Sequence, residues 1–116
     1  MSTRITATGT KRILGIDDSR ELSFCSVLCR DYWSGVSALL NMGPWDEVHL
    51  DHDLGSYENG REYTGYDLIS WLEEAVANGD TVLPGKIWCV SSNPSGRARI
   101  QQVIDKLYKE DKNEQY

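Results

Sequence analysis

Three short stretches carry the residues that can do chemistry. Leu50-Asp51-His52-Asp53-Leu54-Gly55 places an imidazole between two carboxylates. Ile16-Asp17-Asp18-Ser19-Arg20 places two adjacent acids just before a guanidinium. Val90-Ser91-Ser92-Asn93-Pro94-Ser95-Gly96-Arg97 places hydroxyls, a carboxamide and a second guanidinium around a helix start. Clustered carboxylates repel one another unless a cation shares the site or one of them stays protonated. A hard divalent ion such as magnesium takes oxygen ligands and bridges them to phosphate. Histidine exchanges a proton near neutral pH. Arg20 and Arg97 can grip phosphate oxygens in a fork, and a helix start offers free N–H groups to an anion. This set suits a phosphate ester better than a sugar or a peptide. Each piece also has a plain structural reading. Adjacent acids cap turns, an Asp-His-Asp run can be a polar turn, and Asn93-Pro94 is ordinary helix initiation.

These residues need elements to position them. Residues 12–16, 24–29, 46–50 and 86–90 read as strands, the last with no polar face. Residues 31–42 read as a helix closed by Gly43-Pro44. A second helix carries Leu68, Ile69, Leu72, Ala75 and Val76 at helical spacing, opened by Thr64 and Asp67 in a capping-box pattern and ended by Asn78-Gly79-Asp80. A third starts at Pro94 with Ile100, Val103, Ile104, Leu107 and Tyr108 on its apolar face. Residues 54–64, with two glycines and no apolar period, read as a loop. Strands alternating with helices imply an α/β layered domain with a mostly parallel, four- to five-stranded sheet flanked by helices. The first two strands are too close in sequence for a full crossover helix between them. Open α/β sheets bind ligands beyond the carboxyl ends of their strands, which is where the three stretches fall. His49 shares a strand face with Asp51 and reads as structural.

The 116 residues suit a single domain, with residues 1–10 and 110–116 as flexible ends. A net charge of -6 excludes a general duplex nucleic-acid binder, which needs a basic face. There is no long apolar run to span a membrane and no signal-peptide pattern. Cys25, Cys29 and Cys89 form no C-x-x-C pair, so they read as reduced thiols of a cytoplasmic protein. No G-x-S-x-G elbow points to a serine hydrolase, and scattered cysteines argue against zinc.

"IDDSR" (16–20), "LDHDLG" (50–55), "TGYDLISWL" (64–72) and "VSSNPSGRARI" (90–100) occur in order. Together they resemble the cyclic-phosphate processing receiver-like family, a compact relative of two-component receiver domains, over residues 12–107. The resemblance implies a small receiver-like layered domain acting on a nucleotide or RNA end that bears a cyclic phosphate. It places the acidic pocket on Asp17, Asp18, Asp51 and Asp53 and the family histidine on His52. The last motif falls on Ser91, Asn93 and Arg97. The candidate assignment is then His52, Asp51, Asp53 and Asp18 for catalysis. Arg20, Ser91, Ser92, Asn93, Arg97 and Thr64 would bind phosphate or ligand, and Asp17, Asp18 and Asp51 would hold Mg2+. Tyr57, Tyr63 and Tyr66, on or beside the glycine-containing loop, could cover the site and stack on a base. Family members often carry a histidine where this chain has Val90, so a mechanism with two opposed histidines lacks a member. Full receivers also need a lysine after a later strand, and none stands at a strand end here. Three readings follow in order: a phosphoesterase opening a cyclic phosphate, a module that binds such a ligand without turnover, and a receiver-like phosphoacceptor or docking domain.

Overall fold

The computed structural model describes residues 11–113, and their side chains through residue 109. Its main sheet is built from β1 (Ile13–Ile16), β2 (Val27–Cys29), β3 (Glu47–Leu50) and β6 (Lys86–Cys89), all parallel in the order β2-β1-β3-β6. The helices are α1 (Tyr32–Asn41), α2 (Gly65–Ala77) and α3 (Pro94–Asn113). β4 (Ser56–Glu58) and β5 (Arg61–Tyr63) form a separate antiparallel pair.

Alternation along the strands decides the layering. Leu14, Ile16, Val27, Cys29, Val48, Leu50 and Ile87 point to one side. There they join Ala38 and Leu39 of α1, Leu68, Ile69 and Leu72 of α2, and Ile100, Ile104 and Leu107 of α3 in one core. α1 approaches so closely that a methyl on Gly35 would stand 3.0 Å from both Ile16 and Leu68. Among the described residues, the other side of the sheet carries no helix. Segment 17–26 crosses it instead, laying Leu22 and Cys25 over Gly15. That answers the short spacing between the first two strands: the chain crosses over without a helix. The second strand accordingly shrinks from the expected 24–29 to Val27–Cys29, because residues 23 and 24 turn. Further along the bare side, Phe24, His49 and Trp88 touch ring to ring, at 4.7 and 6.1 Å.

The expected loop at 54–64 needs correction. It holds the β4–β5 hairpin, closed by Asn59 (φ 54°) and Gly60 (φ 77°). Two successive left-handed residues make the tight hairpin turn whose twist matches that of its strands, and Asn-Gly is its preferred sequence. α3 continues to Asn113, into the stretch expected to be a flexible end. Residues 1–10 and 114–116 lie outside the described residues. Cys25, Cys29 and Cys89 are free thiols, the first two buried. Among the described residues no helix is long and apolar enough to cross a membrane.

Candidate functional site

β1 and β3 are neighbours in register, with Ile16 opposite Leu50, so the residues after them emerge side by side. One carboxylate oxygen each from Asp17, Asp18 and Asp51 lies within 4.8 Å of the other two. Asp17 is fully buried. Its Oδ1 accepts the N–H groups of Ser19 (3.1 Å) and Arg20 (2.9 Å), while its Oδ2 is buried with no hydrogen-bond partner. Such an orphaned acceptor is expensive in a protein interior unless a donor or cation reaches it. Asp51 is also buried, and its Oδ1 accepts the His52 N–H at 2.8 Å. Burial, and then the proximity of Asp17, raise its pKa; hydrogen bonds from His52 and Ser91 and the charge of Arg20 oppose the rise. Ser91 is thereby placed at the cluster, reached from the end of β6.

Asp53 does not join these acids. It is 56% exposed on its side chain and pairs with His52, Oδ1 to Nδ1 at 2.9 Å. The expected cluster of four carboxylates is therefore a cluster of three beside a histidine–aspartate pair. The reason is local: the chain turns outward after Asp51, and Leu54 is pulled into the core. An ionised carboxylate can only accept, so the pairing puts the hydrogen on Nδ1 and leaves Nε2 to exchange a proton.

Two helix starts hold this turn. The His52 carbonyl accepts the Gly65 N–H at 2.7 Å, and a Cβ on Gly65 would collide with the Asp51 carbonyl. The His52 ring lies against Gly96, where an added Cβ would come within 2.5 Å of the ring. Glycine to alanine in a helix ordinarily stabilises. Here Gly96→Ala is expected to destabilise by about 1–3 kcal/mol through overpacking. The midpoint of denaturant unfolding checks this; an unchanged or higher midpoint would show that the ring has room to move.

The remaining candidates divide. Asn93 uses its Oδ1 to accept from Gly96 N–H (3.0 Å) and Ser95 hydroxyl (3.2 Å), so that oxygen caps α3. The Ser91 hydroxyl accepts the Asn93 N–H, at 3.0 Å. Arg20 and Arg97 both lie near enough to act on the Cys89 thiol, which brings the two guanidiniums to the same end of the sheet. Ser92, next in the chain to Ser91, is exposed. Thr64 closes the α2 capping box with Asp67, its hydroxyl donating at 3.1 Å and accepting from the Asp67 N–H at 3.4 Å. That engagement leaves it a structural role. Tyr63 packs on Tyr32 and Trp33 under Arg61, and Tyr66 lies under Arg99, so both rings are engaged. Tyr57, on the hairpin, is 62% exposed. His49 is far from chemistry on the bare side of the sheet, bonded to Glu47 at 3.2 Å.

Arg30 escaped the sequence reading. Its guanidinium donates to the carbonyls of Asp17 (3.2 Å) and Arg20 (2.7 Å), bracing the acid-bearing turn. Nothing in its surroundings marks it beyond its place at a strand end. Gly65 and Gly96 were legible only as letters of the third and fourth motifs.

A family model described as "Cyclic-phosphate processing Receiver domain" matches residues 12–106. No curated protein and no solved structure matches the chain.

Proposed function

Since the chain belongs to the cyclic-phosphate processing receiver domain family, we propose that it is a phosphoesterase that opens a cyclic phosphate in a small nucleotide or at an RNA end. The observation that carries this reading is the His52–Asp53 pair standing directly beside the Asp17–Asp18–Asp51 cluster.

The unpartnered, buried Oδ2 of Asp17 fits a divalent cation such as Mg2+, held by Asp17, Asp18 and Asp51. Bound there, the ion would offset charge on the phosphate oxygens. The protein's own groups do the rest. Arg20, Arg97 and the N–H groups at the start of α3 draw phosphate oxygens to the strand ends. Ser91 and the acids orient an attacking water. As water adds to phosphorus, a carboxylate of the cluster takes its proton; as the bond to one ribose oxygen breaks, His52 in its imidazolium form, Nδ1–H held by Asp53, hands its Nε2 proton to the departing alkoxide. Asp53 keeps the ring in the required tautomer. Tyr57, the free ring of the three tyrosines, offers a face for a base.

One observation favours binding without turnover. Val90 occupies the place of the second family histidine, and the chain's other histidine is held by Glu47 on the bare sheet face. A phosphoacceptor reading has less support. Lys11 and Lys86 stand at the amino ends of their strands, and Lys106 and Lys109 lie in the second half of α3.

The test is incubation with 2′,3′- and 3′,5′-cyclic nucleotides and an RNA ending in a cyclic phosphate, with Mg2+, followed by chromatography and thermal melting. A monoester product with a raised melting temperature supports the esterase. A raised melting temperature without product selects capture. Neither response from any ligand sinks both readings.

A further inference from the structure

β6 ends the sheet, and among the described residues no strand pairs with its outer edge. Its backbone polarity is fixed by the inner neighbour. The N–H groups of Lys86 and Val90 donate to Asp46 and Leu50 on the β3 side, at 3.0 Å each. By alternation, the N–H and C=O of Ile87 point outward to the open edge. Edge strands with free ladder groups are templates for another strand, and proteins usually blunt them with short length, lysines, prolines, bulges or cover. β6 carries no proline and no bulge; it is four residues, Lys-Ile-Trp-Cys, and its one lysine lies on its own Trp88 ring.

The side chains of this edge complement themselves. Lys86 and Trp88 are both exposed on the bare side, Trp88 at 43%, and the Lys86 ammonium sits 4.0 Å over the indole. An antiparallel copy related by a two-fold axis through Ile87 would put Lys86 opposite Trp88 of the second copy, and Trp88 opposite its Lys86. Each cation then meets a ring across the axis as well as within its own chain. The same axis makes the two Ile87 residues a hydrogen-bonded pair, exchanging the N–H and C=O that both edges leave open. On the helix side, a groove of about 330 Å³ runs between Gly85–Ile87 and Gln101, Ile104, Asp105 and Tyr108 of α3. Ile87 itself is buried in its own core, so this groove only flanks the edge. Edge polarity and the Lys86–Trp88 face thus agree on one register.

We propose that β6 is a homodimerisation edge, pairing antiparallel with β6 of a second copy about Ile87 to give a continuous eight-stranded sheet. The seam involves few residues, so the dimer is a weak one that forms with concentration. The two rims point in opposite directions along the strands, so neither candidate site lies in the seam.

Sedimentation of the full chain over a concentration series up to about 1 mM, the affinity range of weak interfaces, is the first measurement. The wild type is expected to pass from monomer to dimer. Lys86→Glu, an exposed position that sets a carboxylate against the indole of the second copy, is expected to stay monomeric with an unchanged melting temperature. Register is tested by oxidative cross-linking of Lys86→Cys mixed with Trp88→Cys, the linked peptides being identified by mass spectrometry. Residues opposite one another in a non-hydrogen-bonded pair have Cα atoms about 4.5 Å apart, within disulfide reach. Two copies of position 86 would be about 8 Å apart by strand spacing and rise, beyond the roughly 7 Å limit. The 86–88 link is therefore expected in the mixture, and no 86–86 link in Lys86→Cys alone. A monomer throughout, a dimer that survives Lys86→Glu, or an 86–86 link in preference to 86–88 would overturn the proposal.

Discussion

His52→Ala is expected to lower turnover of a cleaved cyclic phosphate about a hundredfold or more, the usual worth of a positioned acid–base group. The expectation rests on the 2.9 Å contact to Asp53, which fixes which ring nitrogen is free, and on the ring's partial burial, with 13% of the side chain exposed. Ligand affinity should change far less, because phosphate capture is assigned to Arg20, Arg97 and the start of α3. His49→Ala should leave the rate nearly unchanged, since that ring sits between Phe24 and Trp88 away from the acids. Separate measurement of kcat and of the ligand dissociation constant decides it. A His52→Ala protein with full kcat would make the imidazole a bystander. A lost affinity with intact kcat would reassign it to binding.

Asp51→Asn is expected to raise the stability of the metal-free protein at neutral pH and to abolish its stabilisation by Mg2+. The carboxyl of Asp51 has its pKa raised above 3.8 by burial, then by Asp17. A group raised in the folded state contributes fully below its unfolded pKa, and that contribution is lost as pH rises through the folded value. The free protein thus loses stability as Asp51 ionises, and asparagine removes that loss. Mg2+ held by the cluster would offset the same repulsion, stabilising by about 2.7 kcal/mol at a hundredfold excess over its dissociation constant. Its effect should therefore shrink as pH falls from neutral through the raised folded pKa of Asp51, where the carboxyl takes up its proton. Thermal melts of wild type and Asp51→Asn with Mg2+ and with chelator, across that pH range, give the answer. An equal magnesium shift in both proteins would remove Asp51 from the cation site.

What the sequence disclosed depended on periodicity and on strand ends. The runs at β1, β3 and β6 were legible because a parallel strand buried by helices must be apolar at alternate positions or more. The placement of Asp17, Asp51 and Ser91 followed from those strand ends alone. The hairpin was lost because its strands are three residues each and mostly exposed, so they carry no apolar alternation. Its signal was the Asn59-Gly60 dipeptide. Asp53 was grouped with the wrong partners for a related reason. Period-two alternation holds only while the chain stays extended, and β3 has ended at Leu50. That all three helices share one side could not be read from spacing. It depends on β2 lying at the far side of β1 from β3, so that both later crossovers run in the same direction over the sheet.

The crossover between β1 and β2 leaves the acids unevenly supported. Asp51 belongs to a turn gripped by two helix starts. Asp17 and Asp18 belong to segment 17–26, which has no helical ladder. That segment is tied down by the Cys25-to-Leu22 and Ser26-to-Ile13 backbone bonds, by Arg30, and by side chains resting on Gly15. Segments with few internal hydrogen bonds and one open side are the low-free-energy openings of a native protein. Electrostatic repulsion in an empty acid cluster acts on just this segment, and its slow amide exchange would be a gauge of occupancy. The domain therefore joins a stiff half, carrying the His52–Asp53 pair, to a compliant half, carrying two of the three acids. A cation held by all three acids would work as a fastener between parts with different intrinsic mobility.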